Sequence, residues 1–303
     1  MEATLGASDD SGQSIVSSAA ISNADGLLDE LRHFLLVVEH GTFTEAARRA
    51  HLSQPALTAA MQRLESAFGA PLLHRSRRGA TPTAAGAALV PRARAALAAV
   101  EDGRRAVAEI AGLHAGEVRL GAGATACTYL LPKLLAAFRD EHPGLHYLLR
   151  ETTTQEALDA LQEGAIDLAI VSEPDPEVQD PAGDLWMEDR LILVAAPGVD
   201  AATAPYVTFR QGATTRAIFD RAFPEADVIM ELGSIAAVKG NVRAGIGVAL
   251  VSENAVQDDL RRGLMVQVAH PATPIIRELR VVHRGVERLP PAAAALRERL
   301  IAR

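Results

Sequence analysis

From Leu27 to His40 the apolar residues Leu28, Leu31, Leu35 and Val38 recur in steps of three and four, which places them on one face of a helix that Gly41 ends. Thr42-Phe-Thr-Glu45 reads as a capping box for a short second helix through Ala46, Ala47 and Ala50: Thr42 accepts from the amide three residues on, and Glu45 reaches back. The turn Ala50-His51-Leu52-Ser53 leads into a third helix. Ser53 is its N-cap, Pro55 sits in the first turn where a missing N–H costs little, and Leu57, Ala60, Met61, Leu64 and Phe68 line its apolar face up to Gly69. Two short helices joined by a four-residue turn, with small residues at their crossing, describe a helix-turn-helix. Pro71 to Pro82 then carries apolar anchors at Leu72 and Leu73 and basic residues around Gly79, the pattern of a β-wing with a basic tip. Thr83 to Ala111 forms a long helix. Its residues Val90, Ala93, Leu97, Val100, Val107 and Ala111 follow a heptad seam interrupted at Arg104, and Pro91 is expected to bend it near its start. Such a seam implies a partner helix, most simply from a second copy of the chain.

After Gly112–Gly116 the pattern changes to alternating strands and helices. Strands are predicted at 117–121, 145–149, 166–171, 191–195, 206–209, 228–232, 247–251, 265–268 and 276–282, and Asp167 is read as strand-edge patterning. Helices are predicted at 127–141, 155–162, 214–222, 234–244 and from Pro291 onward. This alternation predicts mostly parallel sheets covered on both faces, as one large or two small α/β units. Residues 1–25, rich in Ser, Ala, Gly and Asp, are expected to form a disordered extension because they bury too little to offset ordering entropy.

The 303 residues, 49% hydrophobic, suffice for about two domains with real cores. The net charge of −8 is unevenly spread: −4 over residues 1–26, +3 over 27–112 and −7 over 113–303. A mildly basic N-terminal part ahead of an acidic remainder fits a nucleic-acid module joined to something else. Of the 30 basic residues only Lys133 and Lys239 are lysines. The lone Cys127 cannot form an internal disulfide, and the nine histidines show no metal spacing, so no metal or cofactor is expected. An acidic start without an apolar core is not a secretory signal, and no apolar run is long enough to span a bilayer; a soluble, cytoplasmic protein is expected. There is no nucleophile elbow, P-loop or complete G-x-G-x-x-G, since Gly121-Ala-Gly123-Ala-Thr-Ala126 is only a partial match. Catalysis or solute binding by the α/β part, with the N-terminal helices structural, is the alternative reading, and no catalytic residue presents itself.

The run from Leu31 to Glu65, continuing through Phe68-Gly-Ala-Pro-Leu-Leu-His-Arg75 and Thr81-Pro-Thr-Ala-Ala-Gly86, resembles the winged helix-turn-helix of LysR-type transcriptional regulators. Looser similarity follows at Tyr129-Leu-Leu-Pro132, Phe138–Gly144, Leu161–Ile170 and Val242–Val251. The resemblance implies a cytoplasmic DNA-binding dimer, or a tetramer. Residues 26–84 would be an all-α winged helix-turn-helix and 85–113 a linker and dimerisation helix. Residues 116–303 would be an α/β effector module of two subdomains, like periplasmic binding proteins.

In that frame Ser53, Gln54, Pro55, Thr58 and Gln62 belong to the part of the third helix that enters the major groove, where Gln54 can pair with adenine and Thr58 can meet a thymine methyl or a phosphate. Arg63, Arg75, Arg77 and Arg78 are the phosphate candidates, with Arg48 and Arg49 beside them. Ala59 and Ala60 stand where family members often carry a longer polar or basic residue, so base readout leans more on DNA shape. In the α/β part, Thr125, Thr153, Thr154, Gln211 and Ser234 stand just ahead of helices, whose free N–H groups favour an anion such as a carboxylate, and Arg210 can pair with it. Each of those polar residues is equally a plain N-cap. Cys127, at a helix start beside the presumed cleft, is read as packing.

Overall fold

A computed structural model describes residues 18–76, 79–110, 116–172 and 183–302, with side chains from Gly26 onward except residues 109 and 110. The chain divides into two compact units, residues 1–97 and 98–303.

The first unit holds α1 (Ser18–His40), α2 (Phe43–Arg49), α3 (Gln54–Phe68), the strands β1 (Leu73–Ser76) and β2 (Gly79–Pro82), and the first half of α4 (Ala84–Ile110). Leu31, Phe34 and Val37 of α1 meet Leu57, Met61 and Leu64 of α3 in one core, and Ala46, Ala47 and Ala60 let the helices approach closely. Leu72, Leu89 and Ala93 close it from the wing and α4. Each fully buried large side chain of this set contributes about 1.5–3 kcal/mol.

Two local expectations change. Helix α1 begins at Ser18, so 18–25 are helical and not an unstructured extension; residues 1–17 lie outside the described residues. Once the packed part of α1 is nucleated, the good helix formers Ala19, Ala20 and Ala24 add turns cheaply. At α2, Thr42 Oγ1 accepts from the Glu45 amide as expected, but the Glu45 carboxylate does not return to the cap. It binds Arg48 and Arg49 along the helix instead, because two guanidinium partners outcompete one neutral amide. This holds the Glu45 carboxyl down at about 2. Helix α4 runs without interruption through Pro91.

Among the described residues, the second unit has one seven-stranded sheet in the order β10-β6-β11-β5-β3-β4, with β9 also on β6, and a separate β7-β8 pair. Its strands are β3 (Glu117–Ala122), β4 (His146–Glu151), β5 (Leu168–Ser172), β6 (Gly183–Ala195), β7 (Tyr206–Phe209), β8 (Val228–Leu232), β9 (Ala249–Ser252), β10 (Val266–Val268) and β11 (Ile275–Val282). Its helices are α5 (Leu131–Glu141), α6 (Thr154–Gln162), α7 (Thr214–Ala222), α8 (Ile235–Arg243), α9 (Glu253–Arg261) and α10 (Pro291–Ile301).

The buried clusters separate this unit into two lobes. In the first, β3, β5 and β11 pack against α5 and α10 on one face and against α6 on the other. In the second, the end of β6 with β7 and β9 packs against α8 and α9, and on the other side against α7. Of the described strands only β6 and β11 belong to both lobes. They pair antiparallel from Ile275↔Leu191 to Val282↔Gly183, with a register shift between Leu279 and Arg280.

The expected mostly parallel sheet is therefore mixed. β3 is parallel to β4 and β5, and β7 to β8, while β6 is antiparallel to β9, β10 and β11. The strands that cross between lobes must go out and come back, and this imposes the antiparallel pairs. The first half of β6 and helix α9 were not foreseen, and the helix expected from Cys127 starts as a π turn over Ala126–Leu130.

The second half of α4 is bolted to the first lobe by buried ions. Arg105 clamps Asp167 at 2.7 and 3.1 Å and Asp102 at 2.6 Å. Arg119 gives Asp167 its backbone amide and its guanidinium, both at 2.9 Å, and Arg284 binds Asp102. Burial alone would raise the Asp167 carboxyl; the hydrogen bonds from Arg105 and Arg119 outweigh it and hold the group below the usual aspartate value. Asp167 is thus the centre of an ion cluster and more than a strand-edge residue.

Candidate nucleic-acid interface and ligand cleft

Helix α3 presents one face outward. Leu57, Ala60, Met61 and Leu64 are buried, while Ser53, Gln54, Pro55, Ala59, Gln62 and Arg63 are exposed and Thr58 is half-buried. Ser53 Oγ accepts from the Ala56 amide, so its oxygen is spent on starting the helix. Gln54, Thr58 and Gln62 recur every four residues, and this spacing lines them up as one polar stripe along the helix.

Arg63 Nε donates to Glu30 at 2.6 Å. Arg75 is held by Glu65 at 3.4 Å, with its guanidinium carbon 4.7 Å from the centre of the Phe43 ring. Arg77 and Arg78 lie outside the described residues. Gly79 is required where it stands: its φ of +137° is open to glycine, and a side chain would strike the Gly41 carbonyl, which accepts from the Ala80 amide at 2.7 Å.

Within the second unit a solvent-open cleft with about 140 Å³ of space accessible to water lies between the two lobes. Thr125, Thr152, Thr153, Thr154 and Ser172 line it from the first lobe, and Arg210, Thr214, Thr215 and Gly233 from the second. Four helical segments begin at its edge, and the N-cap position of α7, Ala213, supplies no side-chain cap.

Of the expected ligand residues, Thr125, Thr153, Thr154 and Arg210 come together here. Gln211 and Ser234 are not in the lining; Ser234 Oγ accepts from the Ala237 amide at 3.2 Å and so caps α8. Thr153 completes a capping box with Glu156, whose carboxyl is lowered by the Thr153 amide. Thr154 Oγ1 stands 3.2 Å from Thr214 Oγ1, a hydrogen bond between lobes.

Arg277 is the residue that sequence reasoning missed. It is only 8% exposed, on β11, and lies in the cleft wall. Its Nε donates to Asp189 at 2.8 Å, and its terminal nitrogens donate to Thr215 at 3.0 Å and Thr125 at 3.3 Å. Asp189, fully buried on β6, also accepts from Ser252 at 2.6 Å and Asn254 at 3.0 Å. This puts a polar junction where β6 and β11 cross between lobes, reaching a hydroxyl on each. The available signal was a charged residue at an inward position, since Arg277, Leu279 and Val281 share the buried face of β11.

Cys127 Sγ faces the carbonyls of Ala122 at 3.3 Å and Arg150 at 3.8 Å. Burial, with the charge of Glu151 adding to it, pushes the thiol up to about 11. The thiolate at pH 8 is then on the order of one part in a thousand. Labelling of the native protein by a thiol reagent at that pH is expected to be slow and to accelerate on unfolding in urea; fast native labelling would contradict the packing role.

A winged helix-turn-helix followed by a two-lobed α/β module with a polar cleft defines the class of ligand-binding transcriptional regulators. The chain belongs to the LysR family: residues 28–87 match the bacterial regulatory helix-turn-helix protein, lysR family, and residues 111–303 match the LysR substrate binding domain. It is similar to the HTH-type transcriptional regulator CfxR of Cupriavidus necator, with 32% identity over 290 residues covering 90% of each chain. In fold it is similar to a full-length cysteine variant of OxyR from Pseudomonas aeruginosa (TM-score 0.60, 22% identity, 91% of this chain and 94% of that one). It is likewise similar to full-length CbnR complexed with its target DNA (TM-score 0.59, 24% identity, 90% and 98%). The protein is a DNA-binding transcriptional regulator and not an enzyme. Among the described residues no helix is long and apolar enough to cross a membrane.

Proposed function

We propose that this regulator senses a small anion, such as a carboxylate, in the cleft of its second unit, and that occupancy changes its hold on promoter DNA. The observation that carries this is a cleft lined from both lobes by hydroxyls and helix starts and spanned by only two of the described strands, with Arg210 and the Asp189-paired Arg277 in its wall beside Glu151 and Glu156. An effector that contacts both lobes favours the arrangement that lets it do so, and typical couplings are about 1–3 kcal/mol. In this reading Thr125, Thr153, Thr154, Arg210 and Arg277 serve the effector. In the same reading Ser53, Gln54, Pro55 and Thr58 serve base edges and phosphates of double-stranded DNA, with Arg63, Arg77 and Arg78 as the candidates for the backbone. CbnR, a fold neighbour, is described in complex with its target DNA, which supports this face of the reading.

Helix α4 would join two copies, since Val100 and Val107 of its seam are 37% and 68% exposed in the single chain. Domain limits of 26–84, 85–113 and 116–303 follow, with action in the cytoplasm.

The test is a thermal-shift screen of small carboxylates, followed by anisotropy titrations on DNA upstream of the protein's own gene. A carboxylate that raises the melting temperature of wild type, but not of Thr154→Val, and that moves DNA affinity about 5- to 150-fold supports the proposal. Binding unaffected by Thr154→Val removes the cleft assignment. In the same titrations Gln54→Ala is expected to cost about 1–3 kcal/mol on the preferred site and little on unrelated DNA; an equal loss on both would mean that Gln54 reads no base.

A further inference from the structure

The wing is tied to the helical body at several points, and Glu65 is at the centre of them. One carboxylate oxygen of Glu65, in the last turn of α3, accepts from the backbone amides of Leu72 and Leu73 at 2.9 and 3.3 Å, at the base of β1. The other oxygen faces the Arg75 guanidinium at 3.4 Å. Arg75 in turn lies over the ring of Phe43, the first residue of α2, which packs on the core of the first unit. On the second strand the Ala80 amide is bound to the Gly41 carbonyl, and Thr83 Oγ1 donates to the Pro71 carbonyl at 2.8 Å.

From this geometry we infer that Arg75 is a positioning residue: with Glu65 and Phe43 it sets the wing against α2 and α3, and it adds no net charge toward the DNA phosphates. The pair Glu65–Arg75 sums to zero, and the guanidinium is committed to an aromatic ring and a carboxylate. A cation so committed releases no counterion from DNA, whereas an arginine that neutralises a phosphate contributes about 0.9 to the salt dependence of binding. The planar group is needed because a guanidinium both stacks flat on Phe43 and donates from a rigid fork, whereas an ammonium over the ring keeps only its point-charge attraction. The inference concerns how the known DNA-binding activity is assembled and does not depend on the effector proposal.

The experiment is an anisotropy titration of the full chain on a generic labelled duplex at several salt concentrations, for wild type, Arg75→Gln, Arg75→Lys and Phe43→Leu, with circular dichroism checking that each is folded. Arg75→Gln and Phe43→Leu are expected to weaken binding about fivefold at every salt concentration, with the slope of log affinity against log salt unchanged. Arg75→Lys is expected not to restore affinity. A slope smaller by about 0.9 in Arg75→Gln, or full rescue by lysine, would make Arg75 a phosphate contact and overturn the inference. Unchanged affinity in Arg75→Gln overturns it as well, because the wing would then not need the anchor. Should Phe43→Leu prove unfolded, the two Arg75 variants alone decide the matter.

Discussion

Replacing Asp167 by asparagine is expected to destabilise the second unit by roughly 3–5 kcal/mol, because it removes one side of a buried ion cluster and leaves the other in place. The Asp167 side chain has no solvent exposure, while Arg105 and Arg119, its partners, are 16% and 14% exposed. Without the carboxylate, the guanidinium groups of Arg105, Arg119 and Arg284 are left around Asp102 alone, in a setting that water barely reaches. The readout is built in. Trp186 is the sole tryptophan, packed against the core of the first lobe, so its fluorescence during urea unfolding reports on this unit. A midpoint unchanged in Asp167→Asn would show that the cluster contributes nothing. The pH dependence has a definite sign. The folded carboxyl is held below its ordinary value of 3.8, so its stabilisation is full above that value and fades as the pH falls beneath it. Acid should therefore weaken the wild type over an interval where the asparagine variant is flatter.

Phe34→Ala should remove DNA binding altogether at physiological temperature. Phe34 is fully buried on α1, in the core shared with α3 and the wing. Such a truncation costs about 3–5 kcal/mol through lost transfer energy and the cavity left behind. The first unit is small, and domains have only about 5–15 kcal/mol in total, the low end applying to the smallest. The change therefore takes most of what holds α3 in place. Anisotropy should show no binding at low salt, and proteolysis should cut α1 to α3 while the Trp186 transition keeps its midpoint. Retention of tight binding would mean that the core refills around the gap.

Sequence and structure agree best where one physical signal acts alone. The i, i+3, i+4 pattern of α1 and α3, the Ser53 cap and the Gly41 and Gly69 stops are local, and each stands where it was expected. Half of the cleft was equally legible, because Thr125, Thr153 and Thr154 announce helix starts that the topology gathers. The rest depends on distant partners. Trp186-Met-Glu-Asp-Arg190 alternates poorly, since this stretch of β6 passes from one lobe to the other and its faces change company midway, so the strand was seen only from Leu191. Arg277 and Asp189 find each other across 88 positions, and no spacing rule reaches that far. Position alone gives Glu45 to the cap, but Arg48 and Arg49 on the same helix surface bind it more strongly.

The path of β11 through the sheet sets an order of events during synthesis. The second lobe is one continuous stretch, roughly from Asp189 to Arg277, inserted into the first. Strand β11 fills the place between β5 and β6, and α10 then covers β3. As the nascent chain leaves the ribosome, the winged helix and then the inserted lobe can close on residues already made, whereas the lobe begun earlier waits with an open seam for its central strand. The effector module thus completes from the inside outward, and β11 must be made before the cleft has both walls.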